Sequence, residues 1–169
     1  RVADALGRPA GAEIVTLVPN RSGYRTFLEL GLGPDGHDHV IGMFVSAVEA
    51  HNRANLGRSI AETLEVYGEI ARDAVSRGIR LNGYVSGAFG YRERDGAELV
   101  LPAVDAVNGL VDRFFSMGVR TVALSDLQGV ADEAATVRFL ERLLDRRRGG
   151  DLDRLGYHPH HVSGERAVD

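Results

Sequence analysis

The chain has 169 residues, 44% hydrophobic and 26% charged, enough to bury the core of one globular domain. Its formal charge of −4 comes from 20 basic and 24 acidic residues mixed along the sequence, which argues against a nucleic-acid groove, and no window approaches the ~18 consecutive apolar residues of a membrane helix. All the basic residues are arginine and cysteine is absent, which excludes a lysine Schiff base, a disulfide and thiol catalysis within this stretch.

Strand-like and helix-like segments alternate along the chain. Ala12–Val18 (AEIVTLV) reads as a β-branched strand stopped by Pro19 and Asn20, and a helix from about Ser22 to Leu30 ends at Gly31 and Gly33. His39–Ser46 (HVIGMFVS) is the second strand, followed by a polar loop that carries Glu49, His51, Asn52 and Asn55. Ser59–Arg77 is a long amphipathic helix, with Ser59 as N-cap, Glu62 three residues on as a capping box and Gly78 as terminator.

Ile79–Ser86 (IRLNGYVS) is the third strand, and its following loop, GAFGYRERDG, offers glycines for close ligand approach and Arg92 and Arg94 for an anion. Pro102–Met117 is a helix that begins with proline and ends at Gly118. Val119–Ser125 is the fourth strand, Asp132–Arg148 a further helix, and Asp153–His160 leads through a fifth strand. The run Arg146-Arg147-Arg148 falls at the expected end of a helix, where cations suit the dipole.

Alternation of this kind implies parallel strands joined by helical crossovers, in an open doubly wound sheet or a (β/α)₈ barrel. The loop after the first strand, VPNRSGYRT, lacks the Gly-rich fingerprint of a nucleotide-binding open sheet. Polar residues recur instead at the carboxyl ends of the strands: Asn20, Ser46, Ser86, Asp126, then His158 and His160. In barrels these ends converge on the active site, so the expected fold class is α/β, a (β/α)₈ TIM barrel. Five βα units make about five-eighths of a barrel, since a full one needs roughly 250 residues. The chain is therefore read as a single partial barrel domain over 1–169, part of a longer protein. Nothing resembles a signal peptide, which makes a cytoplasmic location the expectation.

Residues two apart on a strand point to the same side, so His158 and His160 can face the lumen together and grip one cation. A hydrogen-bonded pair at the rim is the alternative. His161 points the other way in a regular strand. Asp126, in ALSDLQG, could ligate metal, orient an imidazole or hold a substrate hydroxyl, or else serve as a cap or loop anchor. His37 and His39 share the two-residue spacing but precede their strand, on the stability face of a barrel, so a metal there is discounted. Asn20, Glu49 and Ser86 are the candidate substrate contacts.

The segments LVPNRSGY, FVSAVEAHNRANLGRSIAETLE, LNGYVSGAFG, FFSMGVRTVALSDLQGV and HPHH follow one another in an order that resembles 3-hydroxy-3-methylglutaryl-CoA lyase, of the DRE-TIM metallolyase superfamily. The resemblance runs over essentially the whole chain. It implies a Mg²⁺ or Mn²⁺ ion held by two histidines, matched here by His158 and His160, with an aspartate upstream of Arg1 and an asparagine beyond Asp169. The family's catalytic cysteine would also lie beyond the end.

The resemblance further implies metal-dependent retro-Claisen cleavage of the acyl-CoA substrate hydroxymethylglutaryl-CoA to acetyl-CoA and acetoacetate. It matches His158 to proton transfer, Asp126 to an active-site aspartate and Ser86 to a serine of the GYVS segment, and leaves room for a homodimer. The chain departs from the family at Asn82 (usually arginine), Ala123 (serine), Leu127 (threonine) and His161 (aspartate). These departures point to an altered substrate, with a related aldolase, a Claisen-type synthase or a non-catalytic barrel as alternatives.

Overall fold

The computed structural model describes residues 12–93, 98–147 and 151–160, and the structural statements that follow concern these. Five parallel strands form one sheet: β1 (Val15–Leu17), β2 (Val40–Ser46), β3 (Leu81–Ser86), β6 (Thr121–Asp126) and β7 (Leu155–Pro159). The other two, β4 (Tyr91–Arg92) and β5 (Leu99–Val100), make a small antiparallel ladder beyond β3. In the main sheet, spatial order equals chain order, without the reversal that marks a doubly wound sheet. This is the progression of a barrel wall, as expected from the sequence.

The helices are α1 (Arg21–Glu29), α2 (Glu49–Leu56), α3 (Ile60–Ser76), α4 (Val104–Ser116) and α5 (Glu133–Leu144). The capping box of α3 is complete: the Ser59 hydroxyl accepts the Glu62 N–H, and the Glu62 carboxylate accepts the Ser59 N–H at 2.7 Å. Asp132 caps α5 in the same way, through the Ala135 N–H. Along β3, Leu81, Gly83 and Val85 are buried under the helices, whereas Asn82, Tyr84 and Ser86 are half-buried on the other face. Tyr67 and Phe114 stack between α3 and α4, and the Tyr67 hydroxyl donates to the Phe44 carbonyl at 2.9 Å. Gly83 is required here, because a Cβ would stand 3.0 Å from the buried Phe114 ring.

Two sequence expectations change. The segment after β2 is a helix, α2, and not a loop, held by the buried Asn52 side chain: its Oδ1 accepts the Ser46 N–H, while Nδ2 donates to the Arg58 carbonyl and to Thr63 Oγ1. The arginine run lies beyond the end of α5. Arg147 is buried, donating to Asn108 and Asp112 of α4, and Arg146 pairs with Asp105. Arg146 and Arg147 therefore tie the end of α5 to α4, where a helix end with cations suited to the dipole was expected; Arg148 lies outside the described residues. No described helix is long and apolar enough to cross a membrane.

Candidate functional site

Register places the polar strand ends side by side. Ser46 pairs laterally with Ser86, Ser86 with Ser125, and Ser125 with His158. One layer below lie Phe44, Tyr84, Ala123 and Gly156 in the same order. These rows border a cavity of about 930 Å³, whose lining includes Phe44, Tyr84, Ser86, Ser125, His158 and His160 from this sheet face and its end, and residues of α2. Strand pairing thus positions one wall of the cavity.

His158 on β7 and His160 just after it lie side by side on the cavity wall, with their Nε2 atoms 3.0 Å apart and both side chains exposed. Main-chain pairing carries the strand far enough to do this, since the His160 N–H donates to the Asp126 carbonyl at 3.1 Å. Nitrogens at this separation either share a proton or bind one ion. Two imidazoles ligating at about 2.1 Å and at right angles would stand about 3.0 Å apart, so the pair fits two neighbouring positions on one cation. Among the described residues no third histidine, aspartate or glutamate joins them.

The other expected residues are distributed differently. The buried Asp126 carboxylate accepts the Val130 N–H on one oxygen and the Ala131 N–H on the other, both at 3.0 Å, and so fixes the turn after β6. Asn20 caps α1, its Oδ1 accepting the Gly23 N–H at 2.8 Å, and borders a separate small cavity. Glu49 accepts the Ile60 N–H and pairs with Arg53, away from the main cavity. Of the three expected substrate contacts, only Ser86 lines the main cavity.

The main-chain N–H and C=O of Arg92 pair with the Gln128 side chain, while Arg94 and His161 lie outside the described residues. His39 is buried against Thr16 at 2.9 Å, and burial lowers its pKa, as suits a histidine of the fold.

Ser125, Phe44, Tyr84 and Tyr91 also line the cavity without having been singled out in the sequence. Period-two alternation from Ser46 and Ser86 finds Phe44 and Tyr84. Tyr91 has no such signal, because it follows the loop after β3.

No family model matches the chain. A hydroxymethylglutaryl-CoA lyase of Bacillus subtilis is 32% identical over 146 residues, which is 86% of this chain and 45% of that protein. A 3-hydroxy-3-isohexenylglutaryl-CoA/hydroxymethylglutaryl-CoA lyase of Pseudomonas aeruginosa is 28% identical over 157 residues, 92% of this chain and 47% of the relative. The solved hydroxymethylglutaryl-CoA lyase from Pseudomonas aeruginosa superposes with a TM-score of 0.79 at 26% identity, covering 96% of this chain and 50% of that one. The chain therefore spans about half the length of the relatives it matches.

Proposed function

This chain is a hydroxymethylglutaryl-CoA lyase-like protein of the DRE-TIM metallolyase superfamily, and from that premise we propose that it cleaves 3-hydroxy-3-methylglutaryl-CoA, or a similar 3-hydroxy acyl thioester, to acetyl-CoA and a keto acid such as acetoacetate. The observation that carries the reading is the facing pair His158 and His160 on the cavity wall, 3.0 Å apart at Nε2. In this proposal the two Nε2 atoms hold the ion, Mg²⁺ or Mn²⁺, and His158 has Nδ1 left to move a proton. A bound divalent ion supplies Lewis acidity to the substrate's hydroxyl and carboxylate oxygens, which makes that hydroxyl easier to deprotonate.

Asp126 belongs to the proposed machinery through the turn after β6, which its two oxygens hold by accepting the Val130 and Ala131 N–H groups. Ser86 contacts substrate from the cavity wall, and Asn20 offers its amide NH₂, its oxygen being used by Gly23. Glu49, engaged by Ile60 and Arg53, contributes by holding α2. A single partial-barrel domain over 1–169, a cytoplasmic location and assembly as a homodimer belong to the same proposal.

A second reading, a related lyase, aldolase or synthase with another substrate, is favoured by Asn82. Its Oδ1 is buried with no hydrogen-bond partner among the described residues, and it stands where the family usually has an arginine, so a donor for an acyl carboxylate is missing there. Incubating full-length protein and Mg²⁺ with hydroxymethylglutaryl-CoA should release acetoacetate. No product at high enzyme concentration would refute the lyase reading. Mn²⁺ binding in that case would favour another metal-dependent reaction, and its absence a non-catalytic barrel.

A further inference from the structure

The main cavity has a second polar wall that the proposed chemistry does not use. His51, on α2, lines it beside Tyr91, and the two rings lie 4.4 Å apart at their centroids, tilted by 30°. His51 Nδ1 is 3.0 Å from the hydroxyl of the buried Ser46. These contacts fix the ring in both position and plane. They leave Nε2 as its remaining polar atom, with no hydrogen-bond partner among the described residues.

The Ser46 hydroxyl holds the ring in either neutral tautomer. One of its lone pairs accepts the Val48 N–H at 3.0 Å, and its single proton has two acceptors, His51 Nδ1 at 3.0 Å and the Ser86 carbonyl at 3.4 Å. Given to Nδ1, it leaves Nε2 as an N–H donor; given to Ser86, it lets Nδ1–H donate to Ser46 and leaves Nε2 an acceptor. Burial lowers the pKa of His51, which favours the neutral ring. A neutral imidazole nitrogen suits an uncharged hydroxyl or amide, which can both donate and accept, better than a carboxylate, because it brings no charge to offset an anion's desolvation.

We infer that His51, locked by Ser46 and Tyr91, is a specificity-determining residue of this cavity that hydrogen-bonds through Nε2 to an uncharged group of the acyl-thioester ligand, a hydroxyl or an amide. The inference rests on the acyl-CoA reading of the cavity and adds the group that reads the ligand opposite the histidine pair. Ser46 acts only through His51 and is a positioning residue.

The test compares His51→Phe, which keeps a ring against Tyr91 and removes the hydrogen-bonding nitrogen, with Ser46→Ala, which releases the ring. Both are made in the full-length, Mn²⁺-loaded protein, with hydroxymethylglutaryl-CoA as the probe. His51→Phe should raise KM and the calorimetric Kd about 3- to 10-fold, the worth of one hydrogen bond, with kcat changed less than about 2-fold. Ser46→Ala should move the same quantities in the same direction by less, and Mn²⁺ affinity should stay at the wild-type value in both.

Unchanged KM and Kd in His51→Phe would overturn the inference. So would a fall in kcat alone, or a loss of Mn²⁺ affinity. If His51→Phe fails to fold, His51→Gln, which keeps an N–H donor, replaces it and should bind within about 3-fold of wild type; weaker binding than that counts against the assignment. A wild type that binds the thioester without cleaving it refutes the lyase reading alone, and the Kd comparison still decides this one. A wild type that does not bind it refutes both.

Discussion

Asn52→Ala tests whether the wall of the site is held as described. The Asn52 side chain is buried and spans three partners: the Ser46 N–H at 3.0 Å, the Arg58 carbonyl at 3.0 Å and Thr63 Oγ1 at 2.9 Å. Alanine removes them all and leaves the Ser46 N–H buried without an acceptor, at about 1–3 kcal/mol for that group alone. The two lost donations add roughly 0.5–1.5 kcal/mol each at most, and less at Arg58, which water can reach. The expected loss is about 2–4 kcal/mol, a large part of an ordinary protein's stability. Urea unfolding of wild type and variant, compared at a common m, measures it directly. Asn52→Asp sharpens the test, because it keeps the acceptor for Ser46 but sets an oxygen against the Arg58 carbonyl, and should be no more stable than Asn52→Ala. A loss below about 0.5 kcal/mol for Asn52→Ala would mean that α2 is held by something other than this side chain.

His160→Ala should lower Mn²⁺ affinity at least about 10-fold while leaving the urea midpoint almost unchanged, because the side chain is exposed at the rim. Equilibrium dialysis with wild-type affinity in the variant would remove His160 from the ligand set. His39 makes a pH prediction. Burial sets its folded pKa below the ordinary 6.5, so the unfolded chain takes up the proton first. Stability is then full above about pH 7 and falls as pH drops through the unfolded value toward the folded one. His39→Gln should flatten that decline between about pH 7 and 5, and equal slopes in the two proteins would refute the buried-neutral assignment.

What could be read from the sequence divides by range. The α3 capping box was legible to the residue because Ser59 and Glu62 satisfy each other locally. Helix α2 was not: Glu49-Ala50-His51-Asn52-Arg53-Ala54-Asn55 has no apolar stripe, and its anchor is the buried bond from Asn52 to Ser46 of a neighbouring strand. Arg147 misled for the same reason, its partners Asn108 and Asp112 being distant in sequence. The spacing of His158 and His160 indicated a shared side, but only the structure gives the 3.0 Å approach of their nitrogens. Asn20 was expected at a strand end and Glu49 in the loop after the second strand, yet capping and helix pairing take their polar groups, a competition that residue type alone does not reveal.

The departures from the family pattern can be weighed by where they stand. Ala123 lies in register between Tyr84 and Gly156, in the layer beneath the serine row. Leu127 lines the main cavity, and Asn82 sits two residues before Tyr84, on the same strand face. Of the three, only Leu127 lines that cavity; Ala123 and Asn82 lie deeper on the same sheet face, and none is needed to bring His158 and His160 together. That pair depends on main-chain pairing of β7 with β6, through Ser125 with His158 and the Asp126 carbonyl with the His160 N–H. Changes in wall chemistry can thus accumulate without moving the histidines. Under the proposed function, these changes and the imidazole of His51 bear on which thioester is held rather than on whether an ion is.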